Sequence, residues 1–250
     1  MVGFKATYLN ELFKIQKKKK LVIALILSII AVLIGQISVT VVNQSLGLLI
    51  VNSTELPIVI LGIMMYTIFP LFITFIAIDM FNGEYNANTM KLTLTKPATR
   101  YCIFTAKFAA LASVIVVNLL VVFLLSLIVG IVFNPSSTTA SGIFHSLVAY
   151  VVSALPLLVF ALLVIVLANI IRGGLAVFFL TVMIFAGFYV IGLLFVPASS
   201  FLFTSMFDWY RLWISEAANL FKLLRLSLIM IGFGLMLYSL GYTLFERKVI

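Results

Sequence analysis

The sequence predicts an all-α membrane protein with six transmembrane helices, an interfacial helix before the first span and short re-entrant helices before the last. Of the 250 residues, 64% are hydrophobic and only 9% are charged, whereas a soluble domain is about half apolar and about one-quarter charged. The mean hydropathy is +1.31. Long charge-free runs recur along the chain without period-two alternation, which argues against a transmembrane β-barrel.

The composition also excludes several classes of protein. There is too little polar surface to cover a soluble protein of this size, so a soluble enzyme is excluded. The single cysteine, Cys102, rules out a disulfide framework, and the single histidine, His145, makes a zinc site improbable. The chain contains neither a phosphate-binding loop nor a set of residues for nucleophilic catalysis. We therefore expect that it is not an enzyme and that any energy for its work comes from another chain.

Each predicted span follows from the length of an uncharged run, because about 20 apolar helical residues cross the hydrocarbon core. The uncharged runs are 21–54, 56–78, 108–171, 173–207 and 226–245. The third run is long enough for two crossings, and a cluster of turn-forming residues at 134–142 divides it. The predicted spans are 21–42, 57–78, 108–133, 146–169, 175–196 and 225–245. Pro70 and Pro156 lie within two of them, where a proline can kink a helix.

The distribution of basic residues predicts that both termini are cytoplasmic. With the N-terminus inside, all of the 16 Lys and Arg residues except Arg211, Lys222 and Arg225 fall in cytoplasmic segments. The net charge of +9 then reflects topology and attraction to anionic lipid. Nucleic acid is not expected as a partner, since no soluble domain could present a basic face to it.

The segments outside the spans carry further predictions. Residues 1–20 place Phe4, Tyr8, Leu12 and Ile15 on one side of a helix, widened by Leu9 and Phe13, which favours an interfacial elbow over a simple stop-transfer flank. Residues 79–107 form the longest cytoplasmic connection and carry charges of both signs. They favour a short helix that offers a cytosolic partner a polar and an apolar contact, and a solvated loop is the alternative there. The link Arg172-Gly173-Gly174 is very short. Residues 197–224 are too apolar for a free loop and predict short helices dipping into the outer leaflet.

The spans carry no charged residue in their middle thirds. An ion-coupled carrier normally needs such a group or unwound helices near the midplane, so this observation argues against one. An ion-coupled secondary carrier or a non-transport structural or sensory subunit remains the alternative function.

These features together resemble the permease subunit of ABC-2-type (type V) ABC exporters. The resemblance covers essentially the whole chain as a single transmembrane permease domain, 1–250. It rests on the elbow helix, the six spans, the apolar outer segment and the series Glu84, Thr89-Met90-Lys91-Leu92, Lys96-Pro97, Arg100 and Lys107. It implies a homodimer or heterodimer of permeases in the cell membrane, docked on separate cytosolic ABC ATPase subunits that hold ATP and magnesium. This chain itself would hold no cofactor.

The resemblance also implies roles for particular residues. Those expected to couple the permease to its ATPase are Asp79, Glu84, Tyr85, Thr89, Met90, Lys91, Leu92, Pro97, Arg100, Arg172 and Gly173. Candidates for the substrate path, taken from the aromatic and methionine residues of the second and fifth spans, are Met65, Phe69, Phe72, Phe179, Met183 and Tyr189. The expected substrate is amphipathic or hydrophobic: an antimicrobial or toxic peptide, a drug or a lipid-like molecule. Small six-span members of this kind often serve peptide export or immunity in bacteria.

Overall fold

The computed structural model describes residues 3–17, 19–46, 54–86, 98–133, 138–194, 203–215 and 220–247. Every regular element in these ranges is a helix. In chain order they are α1 (Phe4–Gln16), α2 (Lys19–Leu46), α3 (Leu56–Tyr66), α4 (Ile68–Asn86), α5 (Arg100–Phe133), α6 (Ala140–Ile170) and α7 (Gly174–Leu194). A 3₁₀-helix (Phe203–Asp208), α8 (Trp209–Ile214) and α9 (Leu220–Arg247) follow.

The described helices are consistent with the six predicted spans. By length and composition, α2, α5, α6, α7 and α9 are each able to cross a membrane, and α3 with α4, which are bent by 48° at the break between them, make a sixth span if the pair is counted as one. The bend is at Thr67, three residues before Pro70. A proline removes a backbone donor and crowds the preceding turn, which explains why the break precedes Pro70. Pro156, in contrast, lies inside the continuous helix α6.

Helices α3, α4 and α6 lie at the centre of the bundle, and other helices lie at its edge. Buried residues make up 61% of the most apolar window of α6, compared with 11% for α7 and 17% for α9. Helices α3 and α4 pack between α5 and α6, while α2, α7 and α9 turn most of their apolar side chains outward. Those outward side chains suit contact with lipid or with another membrane protein.

The N-terminal helix packs on α5 through a narrow stripe of its surface. Phe4, Leu9 and Phe13 of α1 are exposed, and the buried stripe is Thr7, Glu11 and Ile15. Exposed apolar side chains suit the predicted interfacial face, and the interfacial placement stays a prediction. The stripe that contacts α5 includes a carboxylate, because Glu11 has a partner on α5.

The outer segment contains short helices, as expected, over its described part, 203–215. The boundaries differ at its end, because residues from Leu220 onward already belong to α9. The predicted coupling region, 79–107, begins and ends within helices, because α4 continues to Asn86 and α5 begins at Arg100. Asp79 and Lys107 are therefore helical residues.

Candidate functional site: the basic end of the bundle

The chain segments richest in Lys and Arg meet at one end of the bundle, which we call the basic end. It comprises α1, the last turns of α4, the first turns of α5, the turn between α6 and α7, and the last turn of α9. Arg100 at the start of α5 donates a hydrogen bond to the carbonyl of Glu246 at the end of α9. Further contacts join the other segments, so the described parts of the predicted cytoplasmic connections lie at one end of the bundle.

A buried ion pair joins three of these segments. Lys107 Nζ lies 2.9 Å from Glu11 Oε2 and donates a second hydrogen bond, of 3.0 Å, to the carbonyl of Met80. Lys107 is 0% exposed and Glu11 2% exposed. The other carboxylate oxygen of Glu11 accepts a 2.6 Å bond from Lys14, and the Lys107 ammonium lies 5.8 Å from the centre of the Phe81 ring. A buried charge is tolerated only when paired, so α1, α4 and α5 are held in one arrangement.

A second contact joins α4 to the short turn between α6 and α7. The buried Asn82 side chain donates from Nδ2 to the carbonyls of Ile171 (2.7 Å) and Arg172 (3.1 Å). Beside it, α7 begins against α4 so closely that a Cβ on Gly174 would lie 2.8 Å from Ile78 Cγ2. The end of α4 and the α6–α7 turn are therefore joined by two hydrogen bonds and by close packing.

The residues predicted to contact an ATPase occupy this end to the extent that the structure describes them. Arg100, Arg172 and Gly173 are exposed, and Asp79 is half-buried on α4. Glu84 and Tyr85 lie in the last turn of α4, with their side chains outside the described residues. The remaining predicted residues also lie outside the described residues: Thr89, Met90, Lys91, Leu92 and Pro97.

The 3₁₀-helix and α8 pack against the bundle beside the α3–α4 break. Tyr66, at the α3–α4 break, donates a 2.6 Å hydrogen bond to Asp208 Oδ2, and Arg211 Nε lies 3.0 Å from Asp208 Oδ1. The Tyr66 ring also contacts the rings of Phe207 and Tyr189. Gly62 leaves room for the Tyr210 hydroxyl, which would lie 3.0 Å from a Cβ there. Burial raises the pKa of the Tyr210 phenol, so this hydroxyl stays protonated at neutral pH.

The six residues predicted to line a substrate path fall into two groups that differ in their exposure within a single chain, and the path between two permeases stays a prediction. Met65, Phe69 and Phe72 are 0%, 2% and 7% exposed and belong to the core. Phe179, Met183 and Tyr189 on α7 are 62%, 71% and 46% exposed. Hydrophobicity alone does not separate these groups, because a membrane protein carries apolar side chains both in its core and on its surface. The residues of α3 and α4 are buried because these helices lie at the centre of the bundle, whereas α7 lies at its edge.

Sequence reasoning missed the two polar side chains that organise the basic end. For Glu11 the sequence did carry a signal. Glu11 is the first acidic residue of the chain and stands among lysines, and Lys107 lies about two turns inside a helix, where a cation needs an acidic partner. Asn82 carried none, since an asparagine at a helix end is common. Among the described residues, no group of three His, Cys, Asp or Glu is placed to hold a metal ion.

The family profile described as ABC-2 family transporter protein matches residues 8–188. The match spans most of the chain, from α1 into α7, and contains both the Glu11–Lys107 pair and the Asn82 contact. The chain belongs to this family, and it is a multi-pass membrane protein. A comparison with curated proteins finds no matching sequence.

Proposed function

We propose that the chain is the permease subunit of an ATP-driven ABC exporter in a bacterial cell membrane, paired with a second permease and energised by a separate cytosolic ATPase subunit. Membership of the ABC-2 transporter family supports the general role. The predicted substrate is an amphipathic or hydrophobic molecule such as an antimicrobial or toxic peptide, a drug or a lipid-like compound. ATP and magnesium bind the partner, and this chain catalyses no reaction.

The observation that carries the proposal is the pair of hydrogen bonds from Asn82 to the α6–α7 turn. Two segments are expected to contact an ATPase: the α4–α5 connection and the turn at Arg172. These hydrogen bonds link the end of α4 to that turn, although Asn82 and Ile171 are 89 residues apart in the sequence. A docked ATPase would therefore push on a single unit.

The contacts of the basic end suggest how a push would travel. Motion of the α4–α5 connection moves the last turns of α4, which carry Asn82 and the Met80 carbonyl. Asn82 passes the motion to the start of α7, and Lys107, bonded to the Met80 carbonyl and to Glu11, passes it to α5 and α1. Helix α7 is at the edge of the bundle, where displacement breaks few core contacts, whereas α1 is held to α5 by the buried pair and would move with it. Closure of two ATPase subunits would then open the space between two permeases on the far side.

Co-purification tests the proposal directly. The tagged chain is extracted from its own cells in mild detergent, and proteins retained with it are identified. We expect an ATPase with a phosphate-binding loop, whose ATP hydrolysis in nanodiscs changes when the permease is present. Solute movement by the purified chain alone, driven by an ion gradient and without a nucleotide-hydrolysing partner, would contradict the proposal.

Charge reversal at Glu84 tests the docking surface. We expect Glu84→Lys to weaken association with the ATPase and to abolish its stimulation, with the permease still folded. Lys5→Glu is the matched control, because Lys5 is an exposed charged residue at the same end but outside the predicted coupling region. Equal association and stimulation in both variants would show that the α4–α5 connection is not the contact.

A further inference from the structure

A cavity of about 290 Å³ lies beside the α3–α4 break, between α4, α6 and α7. Its inner wall is formed by Thr74, Phe160 and Thr181, each at most 2% exposed. Its opening lies between Leu71 on α4 and Val182 on α7, which are 42% and 38% exposed. Thr181 is near the middle of α7, so the cavity is within the spanning part of the bundle and opens toward the bundle surface.

Each hydroxyl group that lines this cavity donates a hydrogen bond to another protein atom. Thr67 Oγ1 donates to the carbonyl of Ile63 (2.8 Å), Thr74 Oγ1 to that of Pro70 (2.7 Å) and Thr181 Oγ1 to that of Val177 (2.8 Å). Tyr66, also on the wall, donates to Asp208. A hydroxyl has one proton and two acceptor lone pairs, so these side chains can offer a bound molecule acceptors but no donors.

Aromatic rings complete the wall. Phe160 and Phe185 both line the cavity, with their ring centres 5.9 Å apart in an edge-to-face arrangement. The faces of such rings carry partial negative charge and attract cations. The acceptor oxygens and the rings therefore favour the same kind of ligand, one with a positive charge or an N–H group. An anionic head group would find neither a donor nor a cation among these side chains.

We propose that this cavity binds an apolar molecule through a protonated amine or another N–H donor. Burying an ammonium group within a membrane span is costly unless oxygens or aromatic faces replace its water, and this wall supplies both. Transport of the bound molecule rests on the proposed function, and it would narrow the substrate class to apolar amines and N–H-rich amphipathic peptides. Binding itself does not depend on an ATPase.

Three probes with one apolar body and different head groups test the proposal: phenylbutylamine, phenylbutanol and phenylbutyrate. Binding of radiolabelled phenylbutylamine to the full chain in lipid nanodiscs is measured at neutral pH, with binding to empty nanodiscs subtracted. We expect saturable binding of the amine, weaker competition by the alcohol, and competition by the carboxylate at least about tenfold weaker than by the unlabelled amine. Carboxylate competition equal to that of the amine, or no saturable binding, would overturn the proposal.

Variants locate the binding. Replacing both Thr74 and Thr181 by valine removes two acceptor oxygens and should weaken amine binding about tenfold. Thr243→Val is the matched control, because the Thr243 hydroxyl also bonds to a carbonyl of its own helix (Leu240, 2.9 Å) but lies on α9; it should bind as the unaltered protein does. If the double variant does not fold, Val182→Phe narrows the opening instead and should reduce binding.

The result is separable from the test of the proposed function. Amine binding by the double valine variant at the level of the unaltered protein would overturn the cavity assignment, whatever the ATPase experiment shows. Conversely, a chain that binds the amine as expected but neither recruits nor stimulates an ATPase would retain the cavity and lose the exporter role.

Discussion

Lys107 lies about two turns inside α5 and is fully buried, with Glu11 as its ionic partner and the Met80 carbonyl as a second acceptor. Such a pair is not necessarily worth more to stability than well-packed apolar side chains, but removing the Glu11 carboxylate leaves the Lys107 charge buried without this ionic partner. The pair therefore fixes which side of α1 packs on α5, at the cost of sensitivity to single substitutions.

We expect Glu11→Gln to lower the free energy of unfolding by about 3 kcal/mol, because Lys107 is then a buried charge without its carboxylate partner. The double variant Glu11→Gln with Lys107→Met should recover part of this loss, because no buried charge is then left uncompensated. Unfolding is followed by circular dichroism as a denaturing detergent is added to micelles. Lys14→Met is the control: Lys14 contacts the same carboxylate, but its side chain is 37% exposed, so a loss below about 1 kcal/mol is expected. Equal losses for the two single variants would contradict this account.

At the α3–α4 break, Tyr66 makes a polar contact with the segment that contains the 3₁₀-helix and α8. Tyr66→Phe keeps the ring but removes the hydrogen bond to Asp208, whose side chain is 44% exposed and can bind water instead. We expect a loss of about 1 kcal/mol in the docking of the 3₁₀-helix and α8, measured as roughly fivefold faster amide hydrogen exchange over 206–214. Tyr101→Phe, at an exposed position on α5, should leave that exchange unchanged. Unaltered exchange in Tyr66→Phe would show that apolar packing alone holds these helices.

The packing of α4 against α7 depends on a small residue at the first position of α7. A Cβ at Gly174 would stand 2.8 Å from Ile78 Cγ2, whereas one at Gly173 would meet its nearest atom, Ala176 Cβ, at 3.7 Å. Neighbouring glycines thus differ in how much room they have.

We expect Gly174→Val to lower the free energy of unfolding by about 1–3 kcal/mol through overpacking. Gly173→Val adds the same atoms one residue earlier and should cost less than about 1 kcal/mol. The detergent titration described for the Glu11 variant measures both. A larger loss for the Gly173 variant would mean that α7 does not begin against α4 as the structure has it.

The orientation of the bundle is set by its charge asymmetry, and the single cysteine of the chain makes it testable. Cys102 is a half-buried residue of the basic end, which the positive-inside rule places in the cytoplasm. We expect a membrane-impermeant maleimide to label Cys102 only after cells are permeabilised. In a Cys102→Ser background, Thr139→Cys, at the exposed opposite end, should be labelled in intact cells. The reverse pattern would invert the topology.

The helical spans were the most predictable part of the fold. The predicted spans 146–169 and 175–196 correspond to α6 (Ala140–Ile170) and α7 (Gly174–Leu194), because a bilayer demands a minimum apolar length and internal hydrogen bonding in each span. The exposure of single side chains was less predictable. Phe69 and Phe179 look alike in the sequence, but one is 2% and the other 62% exposed, since lipid and protein core accept the same side chain.

Composition and the spacing of charges were enough to predict a helical membrane protein with a basic side. Insertion into a bilayer depends on the apolar length of each span and on the charges beside it, which are local properties of the sequence. The partners of the buried polar groups depended on the folded arrangement. Glu11 and Lys107 are 96 residues apart, and Asn82 and Ile171 are 89 residues apart. No local sequence pattern predicts such pairs, because it is the packing of α1, α4, α5 and α6 that brings them within hydrogen-bonding distance. Since these groups are buried away from water, each one needs a protein partner.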